Sequence, residues 1–207
     1  MLRSPQRLFR FKMLDGDVLC RAVMFPRQWR QGVYSPEAAL ALGRISEGRF
    51  AISVGSRYLL KDIEGAHKFG MGTADLANKG LEAREGRPLS PEELQQYVGF
   101  YDIFVGAIRG ISLEMHRIDI LWSPEHNRQE HFEIQVSELP SAKQRTRKDR
   151  SAERTRIIGA LFARFWGPCM WLEQIEVNGE LTPVILPPGT QGGCCAYKVN
   201  SVLPFAE

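Results

Sequence analysis

The chain has 207 residues, 43% of them hydrophobic and 25% charged, and a formal net charge of +3. Those fractions belong to a globular protein and exclude wholesale disorder and collagen-like repetition. The length allows one substantial core or two small ones. The cations are uneven in kind, with 20 Arg against 7 Lys.

The opening residues Met1-Leu-Arg-Ser-Pro-Gln-Arg contain no apolar segment of the kind a secretory leader carries. Apolar runs such as Ala38 to Leu42 are only a few residues long, whereas a membrane helix needs about 20. No membrane partner is expected, and the cytoplasm is the expected address. Cys20, Cys169, Cys194 and Cys195 form no C-x-x-C pair, so buried or free thiols are expected rather than disulfides or a metal cage.

In chain order, Leu8 to Met13 alternates apolar and cationic residues, the period of a half-buried strand. Asp15-Gly16 supplies a turn, and Val18 to Phe25 reads as the returning strand. Ser35-Pro36-Glu37 opens a short helix, with Ser as its cap and Pro at its first position; Gly43 ends it. Arg49 to Val54 and Arg57 to Ile63 read as two further strands around Gly55-Ser56. Residues 64–89 show no period and carry Gly at 65, 70, 72, 80 and 86, so they read as a long loop or linker.

Ser90-Pro91-Glu92-Glu93 matches a capping box. The apolar residues Leu94, Tyr97, Val98, Tyr101, Phe104, Val105 and Ile108 then recur at helical spacing, which predicts a helix ended by Gly110. Ile111 to Trp122 and Glu130 to Ser137 read as the two strands of a hairpin. Ser141 to Trp166 reads as a second main helix, stopped by Gly167-Pro168. Met170 to Val177 and Glu180 to Leu186 flank Asn178-Gly179, a strong hairpin turn. A loop from Pro187 to Gly193 precedes a last strand, Ala196 to Leu203.

This order predicts an α+β fold: a mixed, mostly antiparallel sheet, two main helices, and strand hairpins at both ends. The chain divides into a strand-rich portion (1–63), a linker (64–89) and an α/β portion (90–207), with one continuous domain as the alternative.

Two constellations carry chemistry. Lys143, Arg145, Arg147, Lys148, Arg150, Arg154 and Arg156 are opposed only by Asp149 and Glu153, giving +5 within sixteen residues and −2 over the other 191. Local basicity of this kind is what a phosphate-binding surface needs, and Arg offers phosphate a planar fork of donors. A solvated helix face gives the same pattern. The second is the hairpin, where alternation puts Asp119, Glu133 and Gln135 on one face. Two carboxylates close together suit Mg²⁺, which prefers oxygen ligands and keeps waters for a phosphate. The bland alternative is a polar strand face, with Arg117 paired to Glu133 across the strands. His116, His126 and His131 gather at the same turn without a metal-site spacing, which favours exposed turn histidines.

Arg117-Ile118-Asp119 followed by Glu133-Ile134-Gln135 resembles the PD-(D/E)xK nuclease superfamily in its Glu-x-Gln variant, over about residues 90–177. The resemblance implies Asp119 and Glu133 as Mg²⁺ ligands and Gln135 orienting the attacking water. It departs from the family in lacking the Lys, in having room for one strand rather than two before Asp119, and in offering only Glu93 or Glu114 as a further acid. Two functions follow as expectations. One is a metal-dependent nuclease. The other is a non-catalytic nucleic-acid-binding subunit of a larger ribonucleoprotein or defence complex, such as a CRISPR effector module.

Overall fold

A computed structural model describes residues 12–30, 33–40, 49–124, 128–139, 147–177 and 180–186. In chain order the elements are β1 (Val18–Phe25), β2 (Trp29–Arg30), β3 (Val33–Tyr34), α1 (Pro36–Ala39), β4 (Arg49–Ser56), α2 (Arg57–Leu60), α3 (Ile63–Glu85) and β5 (Gln96–Phe104). There follow α4 (Val105–Arg109), β6 (His116–Trp122), β7 (His131–Glu138), α5 (Arg147–Phe162), β8 (Phe165–Met170), β9 (Gln174–Val177) and β10 (Glu180–Pro183). The fold is α+β. Six strands form an antiparallel sheet in the order β6-β7-β4-β1-β5-β8, and β2–β3 and β9–β10 form two small hairpins. Strands from before and after residue 64 therefore share one sheet.

The two faces of the sheet are covered differently. On one, Leu19, Val23, Ile52, Val54, Tyr101, Ile103, Phe132, Ile134 and Val136 form one buried cluster with Ile157, Ile158 and Leu161 of α5. On the other, Cys20, Phe100 and Cys169 pack with Ala66 and Phe69 of α3. Next to them Ala22, Met24 and Tyr97 pack with Ala74. No helix among the described residues is long and apolar enough to cross a membrane.

Two expected elements are corrected. Residues 64–89 are largely the helix α3, not a loop. Asp62 caps its start by accepting from the Gly65 amide at 2.7 Å, and Gly86 ends it at φ 68°, a left-handed turn that Gly adopts freely. Its buried face contains Ala66, Gly70 and Ala74. Small residues let the helix lie close on the sheet: a Cβ at Gly70 would sit 2.1 Å from Tyr97 Cε2. Close approach through small side chains erases the large-residue stripe by which a helix is usually recognised.

The reverse error falls on residues 96–104, expected as helix and found as strand β5. It is buried on both faces, with seven consecutive buried residues. A strand covered on both sides shows an apolar run instead of alternation, and such a run fits helical spacing by accident. The capping-box residues do meet. Glu93 Oε2 accepts from the Ser90 amide at 2.9 Å, but in a turn that leads into the strand.

Smaller departures follow similar logic. Residues 57–63 form α2 and the start of α3, not a strand, because Ser56 turns its side chain to the Leu59 amide as a helix cap. Lys12 to Leu14 are not in a strand, and residues 111–115 precede β6 as irregular chain. Gly167-Pro168 does not stop α5. It lies in β8, an edge strand of the sheet, where a Pro without an N–H is tolerated. Strands β1, β7 and the β9–β10 hairpin, and the capped helix α1, lie where the sequence put them within a few residues. The expected strand at Leu8, the stop at Gly43, the turn at Asn178-Gly179 and everything after Leu186 lie outside the described residues.

β1 and β4 are in register only at Leu19–Ser56 and Cys20–Gly55. Beyond that they part, and Arg21 Nη1 donates to the Ser53 carbonyl across the gap at 2.8 Å.

Candidate functional site

α3 covers β1 and β5. On β4, β7 and β6 the same sheet face carries polar side chains in a continuous register. Ala51 faces Gln135 and Ser53 faces Glu133 across β4–β7; Asp119 faces Gln135 and Leu121 faces Glu133 across β6–β7. Asp119, Glu133 and Gln135 therefore do share one face, and all three are half-buried. Asp119 and Glu133 are diagonal neighbours, a spacing of about 7–8 Å between backbones.

Each carboxylate has a partner. Arg117 Nε donates to Asp119 Oδ2 at 2.7 Å, along the strand rather than across to Glu133. Gln135 Nε2 donates to Glu133 Oε2 at 2.7 Å. As placed, the pair does not fit a Mg²⁺ ion. The ion would have to displace a guanidinium from one ligand and an amide from the other. No group of three or more His, Cys, Asp or Glu suited to a metal occurs among the described residues. Glu93 is held in the turn before β5 by Arg87, at 2.6 and 2.8 Å. That contact, with the Ser90 amide, lowers its carboxyl to about 2. Glu114 lies exposed in the turn before β6.

Of the basic run, Arg147, Lys148, Arg150, Arg154 and Arg156 lie on α5, whereas Lys143 and Arg145 lie outside the described residues. Arg156 is exposed and Arg154 half-buried. The acid beside them is turned inward. Glu153 is buried with its Oε1 3.3 Å from Nδ1 of His116, itself buried. α5 has no basic residue in its last turn, the end where a helix dipole stabilises cations.

The turn histidines are not exposed. His116 is buried against α5 and His131 at the head of β7, while His126 lies outside the described residues. His131 Nε2 is 2.7 Å from Ser53 Oγ, and its Nδ1 meets the Ser123 carbonyl. Beside it, Arg128 Nη2 donates to the Phe69 carbonyl and Thr73 Oγ1, and its guanidinium lies over the Phe69 ring at 4.0 Å. The β6–β7 turn is thereby fastened to α3.

Sequence reasoning missed a second polar cluster beneath α3. Arg57 Nε lies 3.3 Å from Asp102 Oδ1, both side chains buried, with the guanidinium over the Phe100 ring. Cys20 adjoins them. Burial first, then the Asp102 charge, pushes its thiol up to about 12. His67 Nδ1 is 2.8 Å from the Tyr97 hydroxyl, and its ring packs on Phe100 and Trp171. Burial pushes that imidazole's pKa down. One signal was legible: Asp102 is the only charged residue in Gln96–Phe104. Cys20 and Cys169 are buried free thiols, as expected, and Cys194 and Cys195 lie outside the described residues.

Comparison with protein-family models, with curated proteins and with solved structures finds no match to this chain. These comparisons neither support nor oppose the likeness of Arg117-Ile118-Asp119 and Glu133-Ile134-Gln135 to PD-(D/E)xK nucleases.

Proposed function

We propose that the chain binds nucleic acid through α5, as a non-catalytic subunit of a larger cytoplasmic ribonucleoprotein or defence complex. One observation carries the reading: the inward turn of Glu153 onto His116. It withdraws one of the two acids of the basic run from solvent. Asp149 is then the one other acid along a helix that carries Arg147, Lys148, Arg150, Arg154 and Arg156. None of these cations sits in the last turn of α5, where the helix dipole would stabilise it, so the dipole does not account for them. Phosphate oxygens are the partners such arginines suit.

The test is a salt titration of binding to short single- and double-stranded DNA and RNA. Affinity should fall linearly with salt on a log–log plot. Neutralising Arg154 and Arg156 to Gln should reduce that slope by about 1 for each phosphate the two arginines hold. Binding that ignores salt, or no binding at low ionic strength, overturns the reading.

A second reading is Mg²⁺-dependent hydrolysis. The shared face of Asp119, Glu133 and Gln135 favours it; the Arg117 and Gln135 contacts oppose it. A bound Mg²⁺ would supply Lewis acidity toward the scissile phosphate. Cleavage that needs Mg²⁺ and is abolished by Glu133→Ala would promote this reading above the first.

A further inference from the structure

We propose that Ser53 and His131 form a nucleophile–base pair that acts on acyl esters, independently of the nucleic-acid reading. Three features converge. The first is distance: Ser53 Oγ and His131 Nε2 are 2.7 Å apart, within the range at which a base takes a hydroxyl proton. The second is tautomer. His131 Nδ1 meets the Ser123 carbonyl. A carbonyl can only accept, so in the neutral imidazole Nδ1 carries the ring proton and Nε2 presents its lone pair. The Ser53 hydroxyl must then donate to Nε2, the direction a general base requires. The carbonyl plays the part of an orienting third group. The third is access. His131 is buried at 4% exposure, shielded beside the Arg128–Phe69 corner, while Ser53 is only half-buried on the polar half of the sheet.

The surroundings select the electrophile. Glu133 lies directly across from Ser53, where facing side chains are about 5 Å apart. Its partner, the Gln135 amide, is neutral and brings no cation to offset a carboxylate. A phosphodiester would meet like charge there, whereas a neutral or cationic acyl ester would not. In the step, Ser53 Oγ attacks the ester carbonyl carbon as its proton passes to His131 Nε2. The Oγ–C bond forms, the bond from carbon to the alcohol oxygen breaks, and the imidazolium returns its proton to the departing alkoxide. Water, deprotonated by the same Nε2, then attacks the acyl carbon; the bond to Ser53 Oγ breaks, the imidazolium returns its proton to Oγ, and the carboxylic acid is released. Gln135, diagonal to Ser53, has a second amide hydrogen to offer the oxyanion.

The experiment uses the full chain and a neutral alkyl fluorophosphonate, with the adduct followed by intact mass and located by peptide mapping. A single adduct on Ser53, absent from Ser53→Ala, is the expected result. His131→Gln, which keeps a polar side chain but has no basic nitrogen, should slow labelling by about 100-fold, with its fold checked by circular dichroism. If His131→Gln labels at the wild-type rate, His131 is no base and the proposal falls. The wild-type protein decides the matter even where that variant fails to fold. No adduct, or one at any residue other than Ser53, overturns the assignment.

Discussion

One face of one sheet carries two groups of polar side chains under opposite conditions. Over β1 and β5 it is sealed by α3, and the Arg57–Asp102 pair, Cys20 and the His67–Tyr97 contact lie in the interior. Over β4, β7 and β6 it is partly open, and Arg117–Asp119, Gln135–Glu133 and Ser53–His131 meet solvent to different degrees. The difference is one of dielectric. In the sealed half each charge depends on its partner, because water cannot replace it. In the open half water can replace it, so the same residue types are free to exchange partners with a ligand.

The largest expected effect tests that division directly. Asp102→Ala strands the Arg57 guanidinium in the core and should cost about 3–5 kcal/mol. Arg117→Ala, which breaks an ion pair whose guanidinium is 70% exposed, should cost under about 1 kcal/mol. Urea denaturation midpoints of the two variants measure the contrast, and equal losses would erase it. Next comes the seal itself. Gly70→Ala drives a methyl into the buried Tyr97 ring and should destabilise by about 1–3 kcal/mol. Gly80→Ala, on the same helix with nothing within 4 Å of the added carbon, should stabilise by about 0.5–1 kcal/mol. Opposite signs in thermal melts would show that contact with the sheet, not helix propensity, sets the composition of α3.

The smallest effect concerns the half-exposed Glu93, outside both halves. Its carboxyl is lowered to about 2 by Arg87 and the Ser90 amide. A depressed acid contributes stability above its ordinary titration range and loses it as the pH falls toward the depressed value. The Glu93 carbon-13 shift should therefore stay in its ionised form through about pH 4, and Arg87→Ala should move the titration upward.

The same contrast explains what could be read from the chain. β1, β7 and the capped helix α1 were legible because each carries a local signal: a β-rich run, an alternating face, a Ser-Pro start. β5, expected as helix, and α3, expected as loop, were both misread because their patterns are set by each other. The strand is apolar throughout since α3 covers it, and the helix is rich in small residues since the strand lies close beneath. Parity placed Asp119, Glu133 and Gln135 on one face, and the register agrees. It could not show that Arg117 would choose Asp119, because that is a choice among rotamers. Nor could it find Ser53–His131, whose members are 78 residues apart and meet only because β4 pairs with β7.

The short register between β1 and β4 has a mechanical consequence. The six strands are two three-stranded plates, β6-β7-β4 and β1-β5-β8, stitched by backbone at two positions and thereafter by side chains. Arg21 works as the latch. Its guanidinium reaches over to the Ser53 carbonyl, which β1 no longer serves, and Phe69 of α3 bears on Gly55 at the other end of the joint. Ser53 thus stands on the lip of the seam, its carbonyl held by one plate and its hydroxyl by a neighbouring strand of its own. The Arg21 contact on one side and the His131 contact on the other fix Ser53 at the joint between the two plates.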